Sequence, residues 1–133
     1  MVFTTRALLS LASLAIVVTP ALAQFNFKCF ATGAAFDCSG FIPDFCSLIG
    51  TTSFNGGDTA VRCFNGPAAG QQCQLSTLNN VSTVGTPSVT NCEIGLTEIT
   101  DACPMGGFGQ FTTGTFEFAI DPNTGACTIP SGN

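Results

Sequence analysis

The 133-residue sequence contains no histidine, no tryptophan and no tyrosine, and only 8% of it is charged. Each absence closes a class of function. Without histidine there is no Ser-His or Cys-His nucleophile, no imidazole general base and no zinc–histidine site. With three cations against eight carboxylates, the chain lacks the basic face that displaces counterions from phosphate, so a nucleic-acid partner is not expected. Calcium loops of the D-x-D-x-D-G type are missing. Gly106-Gly107-Phe108-Gly109 lies outside the strand-to-helix context of a phosphate-binding loop and reads as a tight turn into a strand. Neither a metal nor a cofactor is therefore expected. The length suits one compact domain.

What is present begins with a leader. Arg6 supplies a short basic region, Ala7 to Val18 is apolar, Pro20 breaks any helix, and Ala21-Leu22-Ala23 fits the small-x-small cleavage rule. Residues 1–23 read as a signal peptide and 24–133 as the working domain. The apolar run is too short to span a membrane comfortably, since a span takes about 20 residues, and no second run follows. Export without membrane insertion is expected. After the leader, Lys28 and Arg62 are the only cations, so the surface must be built from Ser, Thr, Asn, Gln and Gly.

The eight cysteines, Cys29, Cys38, Cys46, Cys63, Cys73, Cys92, Cys103 and Cys127, all follow the leader. An even count in a small exported chain reads as four disulfides. Thiolate metal sites are disfavoured because no C-x-x-C pair occurs, and a hydrophobin is disfavoured because no two cysteines are adjacent. Spacing does not select a pairing. It excludes Cys92–Cys103 if both lie on one helix, where they stand ~16 Å apart, and Cys38–Cys46 on the same condition. Cys63 and Cys73 flank a turn and could pair across a hairpin.

Periodicity sketches the rest. Gln24 to Phe30 alternates as a short extended segment. Ser39 can cap a helix from about Phe41, with Pro43 in its first turn and Ile42, Phe45, Cys46 and Ile49 along one face until Gly50. Thr59–Phe64 and Gln71–Thr77 read as a hairpin around Asn65 to Gly70. Ser88 or Thr90 caps a second helix carrying the stripe Val89, Cys92, Leu96, Ile99 and Cys103, ended by Pro104. Phe108–Thr113 reads as a short strand. Thr115–Asp121 alternates with Phe116, Phe118 and Ile120 inward and Glu117 and Ala119 outward. Asp121 to Gly125 reads as a turn, and Ala126–Ile129 as a final strand. The order is αββαβββ: an α+β fold with an antiparallel sheet packed by two helices. All phenylalanines but Phe3 survive cleavage and supply most of the core without needing polar partners.

For function, the acidic residues Glu93, Glu98 and Asp101 on the second helix read as a solvated face. A glycosidase would need two carboxylates flanking a sugar bond, and no such pair is evident. A small hydrolase working through Glu117 is the weakest option. Neutral loops rich in Asn, Gln, Thr and Gly match sugar hydroxyls better. The candidate glycan-binding residues are Arg62, Phe108, Gln110 and Glu117. Phe108 or Phe111 is the only kind of aromatic platform available, although both could be core. Arg62 could instead pair with an acid such as Asp58. Asn80-Val81-Ser82 is the sole N-glycosylation sequon, so Asn80 is a candidate modification site.

Several segments are similar to one family: Cys29-Phe30, Cys38-Ser39-Gly40-Phe41-Ile42 with Phe45-Cys46, Arg62-Cys63-Phe64, Asn91-Cys92, Cys103-Pro104 with Gly106-Gly107-Phe108-Gly109, and Ile120 to Gly125. The chain resembles the small secreted, cysteine-rich glycan-binding proteins of mushrooms, the Y-three-like inky-cap type. The resemblance covers essentially the whole chain after the leader. It implies a single αββαβββ domain and a lectin for fucosylated or N-acetylgalactosamine-containing glycans, non-catalytic and defensive. It assigns no sugar contact to any residue here. A secreted effector or inhibitor acting on a protein is the alternative. A lectin with one weak site gains avidity as a homodimer.

Each disulfide should contribute ~2–4 kcal/mol, so reduction should unfold the domain. An unchanged melting temperature in strong reductant would refute this.

Overall fold

In the computed structural model, residues 23–128 are described, and the leader read from the sequence therefore lies almost wholly outside the described residues. Five strands and two helices follow one another as β1 (Phe25–Cys29), α1 (Ile42–Ile49), β2 (Thr59–Asn65), β3 (Gln71–Asn79), α2 (Val89–Ala102), β4 (Gly107–Phe111) and β5 (Phe116–Thr124). A 3-10 turn, Ser39–Phe41, leads into α1. Every strand pairing is antiparallel, and the sheet order is β1-β4-β5-β3-β2. The fold is α+β as expected, but the order of elements needs two corrections.

The first concerns the extended N-terminal segment, which is a full strand. Phe25 lies opposite Phe111 and Cys29 opposite Gly107, so β1 occupies the sheet edge. The second concerns the C-terminal end. The expected turn at Asp121 to Gly125 does not form at Asp121, because β5 runs on to Thr124. Pro122 is tolerated inside this strand because its partner lies on one side only. It faces Cys73 of β3, while β4 stops pairing at Ile120. No ladder bond is lost where the missing N–H would have pointed. Residues 126–128 of the expected last strand are irregular, and Ile129 lies outside the described residues.

Both helices lie on one face of the sheet, and period-2 alternation decides what they cover. Phe25, Cys73, Leu75, Phe111, Phe116, Phe118 and Ile120 meet Ile42, Phe45, Ile49, Leu96 and Ile99 in one core. Each such buried side chain stabilises by ~1.5–3 kcal/mol. Ser88, not Thr90, caps α2: its Oγ accepts the Asn91 N–H at 3.3 Å. Val89 begins the expected stripe but is 38% exposed. Gly50 ends α1 in ordinary helical conformation, φ −65°. Glycine is needed there for space, since a Cβ would collide with Val89 of α2. Gly95 serves the same purpose under the Phe25 ring, where a Cβ would lie 2.7 Å from Cε2. Before α1, Asp37 Oδ1 accepts the Ser39 N–H at 2.8 Å. The Ser39 side chain and backbone N–H hold this carboxyl below its ordinary range.

The four disulfides are Cys29–Cys103, Cys38–Cys73, Cys46–Cys92 and Cys63–Cys127. The first joins β1 to the end of α2. The second joins the 3-10 turn to β3, and the third joins the two helices. The hairpin pairing of Cys63 with Cys73 does not occur, and register explains why. Cys63 lies opposite Gln74 and Cys73 opposite Phe64, so the two cysteines point to opposite faces of the sheet. Cys73 turns toward the helices, and Cys63 reaches Cys127 on the other side.

Asn79, at the end of β3, is fully buried. Its Nδ2 faces the carbonyls of Phe54 and Asn55, each at 3.1 Å, and of Thr83 at 2.7 Å. Its backbone N–H donates to Asp58 O at 3.0 Å. One amide thereby ties the loop before β2 to the loop before α2. The substitution N79D preserves shape but sets a buried acceptor against three carbonyls. Chemical denaturation with the disulfides intact should report a loss of about 3 kcal/mol or more. A change under about 1 kcal/mol, the net worth of an ordinary hydrogen bond, would show that the clamp matters little.

Candidate functional site

Among the described residues, no element covers the sheet face opposite the helices. Alternation places the even-numbered residues of every strand except β2 and β5 there, and the odd-numbered residues of those two. The face is therefore polar: Asn26 and Lys28 on β1, Gln110 on β4, Glu117 and Asp121 on β5, Gln72, Gln74 and Ser76 on β3. Phe108 is the one aromatic ring among these positions. Where β1, β4 and β5 lie side by side, the face forms an open concavity of about 480 Å³. Asn26, Lys28, Phe108, Gln110, Thr112 and Glu117 line it, with Phe27 and Phe111 at the margin.

Register explains this gathering. Gln110 lies opposite Asn26 on one side and Glu117 on the other; Phe108 lies opposite Lys28 and Ala119. Two adjacent rows thus present an amide, an amide and a carboxylate, then an ammonium, a ring and a methyl. Phe108 is half-buried, and its ring meets Phe30 at a centroid distance of 5.9 Å. Phe111, the other aromatic candidate, faces the helices and is buried against Phe25, with ring centroids 4.9 Å apart. Glycines 107 and 109 make the packing of β1 on β4 possible, since a Cβ on Gly109 would lie 2.6 Å from Asn26 O.

Gln110 is held at both ends. Its Nε2 donates to Gly114 O at 2.6 Å, and its Oε1 accepts from Asn80 Nδ2 at 3.1 Å. A side chain fixed in this way loses little further freedom when a ligand docks on it. The concavity holds one cation and one anion, Lys28 and Glu117. Its local charge balances, which suits a neutral hydroxylated ligand better than an ionic one. Glu117 is the sole carboxylate among the lining residues.

Of the four sequence-predicted site residues, Phe108, Gln110 and Glu117 come together here. Arg62 does not: it lies opposite Leu75 on the helix-covered face of edge strand β2. Asp58, its expected partner, accepts the Asn55 backbone N–H at 2.7 Å and the Asn55 side-chain amide at 3.0 Å. Asn26 and Lys28 were missed. Their alternation with Phe25 and Phe27 is visible in the sequence, but nothing local says that this segment pairs with β4. Among the described residues, no helix is long and apolar enough to cross a membrane. None of their His, Cys, Asp and Glu side chains gather in a group of three that could hold a metal ion.

Comparison with known proteins matches residues 37–127 to a family model described as glycan binding domain Y3. The chain is also 35% identical over 95 residues to a protein of Coprinus comatus named antiviral protein CAP, covering 68% of this chain and 91% of that relative. The family match starts after β1, so Asn26 and Lys28 lie outside it.

Proposed function

The chain belongs to the family of the glycan binding domain Y3, and from that premise we propose that it is a secreted lectin, binding sugars in the concavity of β1, β4 and β5 without transforming them. The observation that carries this reading is the row structure of the site. A half-exposed phenyl ring lies beside two amides and a carboxylate, on strands rather than loops. Sugars present a C–H face and an edge of hydroxyls, and these two surfaces call for that combination. Fucosylated or N-acetylgalactosamine-containing glycans suit it because their methyl groups add apolar surface for Phe108, and an acetamido N–H can donate to Glu117. A single lining carboxylate supports binding over glycoside hydrolysis, which uses two. Four disulfides support an extracellular setting, and a relative named as antiviral supports a role in defence.

A glycan array with the intact chain tests the reading. Binding should appear on fucosylated or N-acetylgalactosamine-bearing glycans. Phe108→Ala should weaken it about tenfold or more, the effect of truncating a central aromatic anchor, with little change in melting temperature. Absence of binding to every glycan at micromolar protein would overturn the lectin reading in favour of a protein target. One shallow site per chain also favours a homodimer, which multiplies weak contacts. Light scattering at high concentration should report a dimer mass, and a monomer alone would contradict it.

A further inference from the structure

The sequon Asn80-Val81-Ser82 stands outside the sugar-binding role, yet the fold brings it to the same site. Asn80 follows the last residue of β3, and its backbone N–H donates to Thr115 O at 2.8 Å. The β3–β5 ladder is thereby extended by one step. Asn80 shares the open face with Leu78, which lies opposite Glu117. Its side chain then reaches past β5 to Gln110, the residue held at the floor of the concavity. Asn80 and Ser82 are both exposed, and residues 81–83 form a bend. An acceptor asparagine needs this kind of accessible surface segment. The four disulfides require the oxidising compartment through which exported chains pass, which is also where such sequons are modified.

We propose that Asn80 carries an N-linked glycan that stands at the rim of the concavity and competes with outside sugars for it. In the transfer, Asn80 Nδ2 loses one proton and bonds to the anomeric carbon of an oligosaccharide carried on a lipid pyrophosphate. The bond from that carbon to the pyrophosphate breaks, and the lipid pyrophosphate departs with the electron pair. Nδ2 keeps one of its two hydrogens and bears a bulky sugar beside Gln110. Competition rests on the sugar-binding reading above; attachment and placement do not.

The test compares the full chain secreted from a eukaryotic host with its Ser82→Ala variant, which loses the sequon but keeps Asn80 and its bond to Gln110. Intact mass should show one added oligosaccharide on the parent chain and none on the variant. A parent chain without added mass overturns the proposal. Placement is read without any ligand, through Lys28, the only lysine in the sequence and a lining residue of the concavity. Acylation of Lys28 by an amine-reactive ester, followed by peptide mass, should be several-fold slower in the glycosylated form. Equal rates overturn the placement. Binding to the best array glycan should be about tenfold weaker in the glycosylated form, equivalent to 1.4 kcal/mol; equal binding overturns the competition. If neither form binds any glycan while Lys28 is still protected, the placement stands and the sugar-binding reading falls.

Discussion

The constraint on which the rest of this molecule depends is that, among the described residues, helices cover only one face of its sheet. Among the described residues, two helices, one of eight and one of fourteen residues, cover it. A helix of eight residues has no stability of its own in water. It holds because Phe45 and Ile49 are buried in the sheet-facing core and because Cys46 is bonded to Cys92 of its neighbour. The remaining bridges on the same side anchor the edge strand β1 and the approach to α1. With the helix layer secured covalently, the sheet holds together with no second layer among the described residues.

An uncovered sheet face must be polar, and in this chain it must also be nearly uncharged, because few charges exist to place there. The result is a surface of amides and hydroxyls with a few apolar side chains such as Val61 and Leu78 among them, laid out on strands whose spacing is rigid. Binding groups held on such elements are positioned more closely than groups on loops. Phenylalanine is the only aromatic available, so a ring on this face has no polar tip to satisfy and can remain partly exposed without stranding a hydrogen-bonding group. Phe108 occupies that position. The same restriction shapes the core, where phenyl rings bring no phenolic hydroxyl to satisfy, and every buried side-chain polar atom among the described residues finds a partner.

Local pattern made much of this legible. Alternation located β2, β3 and the body of β5 and assigned Phe116, Phe118 and Ile120 inward. The stripe through Cys92, Leu96 and Ile99 located α2. Alternation also placed Glu117 outward, whereas Phe108 and Gln110 became candidates by residue type beside flexible glycines, and their common face follows only from the register of β4 with β5. What local pattern could not supply was pairing at long range. Nothing near Asn26 indicates that it will lie beside Gln110, more than eighty positions away. The same gap concealed the run of β5 through Pro122, since proline reads as a breaker unless the absence of a neighbour on its N–H side is known. Arg62 shows the limit of residue type as a guide to position. As the only arginine after the leader it drew attention by type, whereas parity on an edge strand turned it to the helix-covered side, away from the open face.

Edge strand β1 therefore has a double character. Phe25 is committed to the core, and Cys29 fixes the end of the strand to the close of α2. Asn26 and Lys28, between and beside them, project to the open face and support nothing in the core. A side chain at either position can change without disturbing the burial that holds the strand in place, because alternation separates the two duties residue by residue. The segment also lies outside the region matched by the family model. Two of the three polar side chains opposite Phe108 and Gln110 thus come from a strand whose anchorage is covalent and whose outward residues are free. The outward side chains of β1 can therefore vary at small cost to stability, while β4 and β5 carry the ring, the clamped amide and the core phenylalanines together, so that a change on either strand bears on both faces at once.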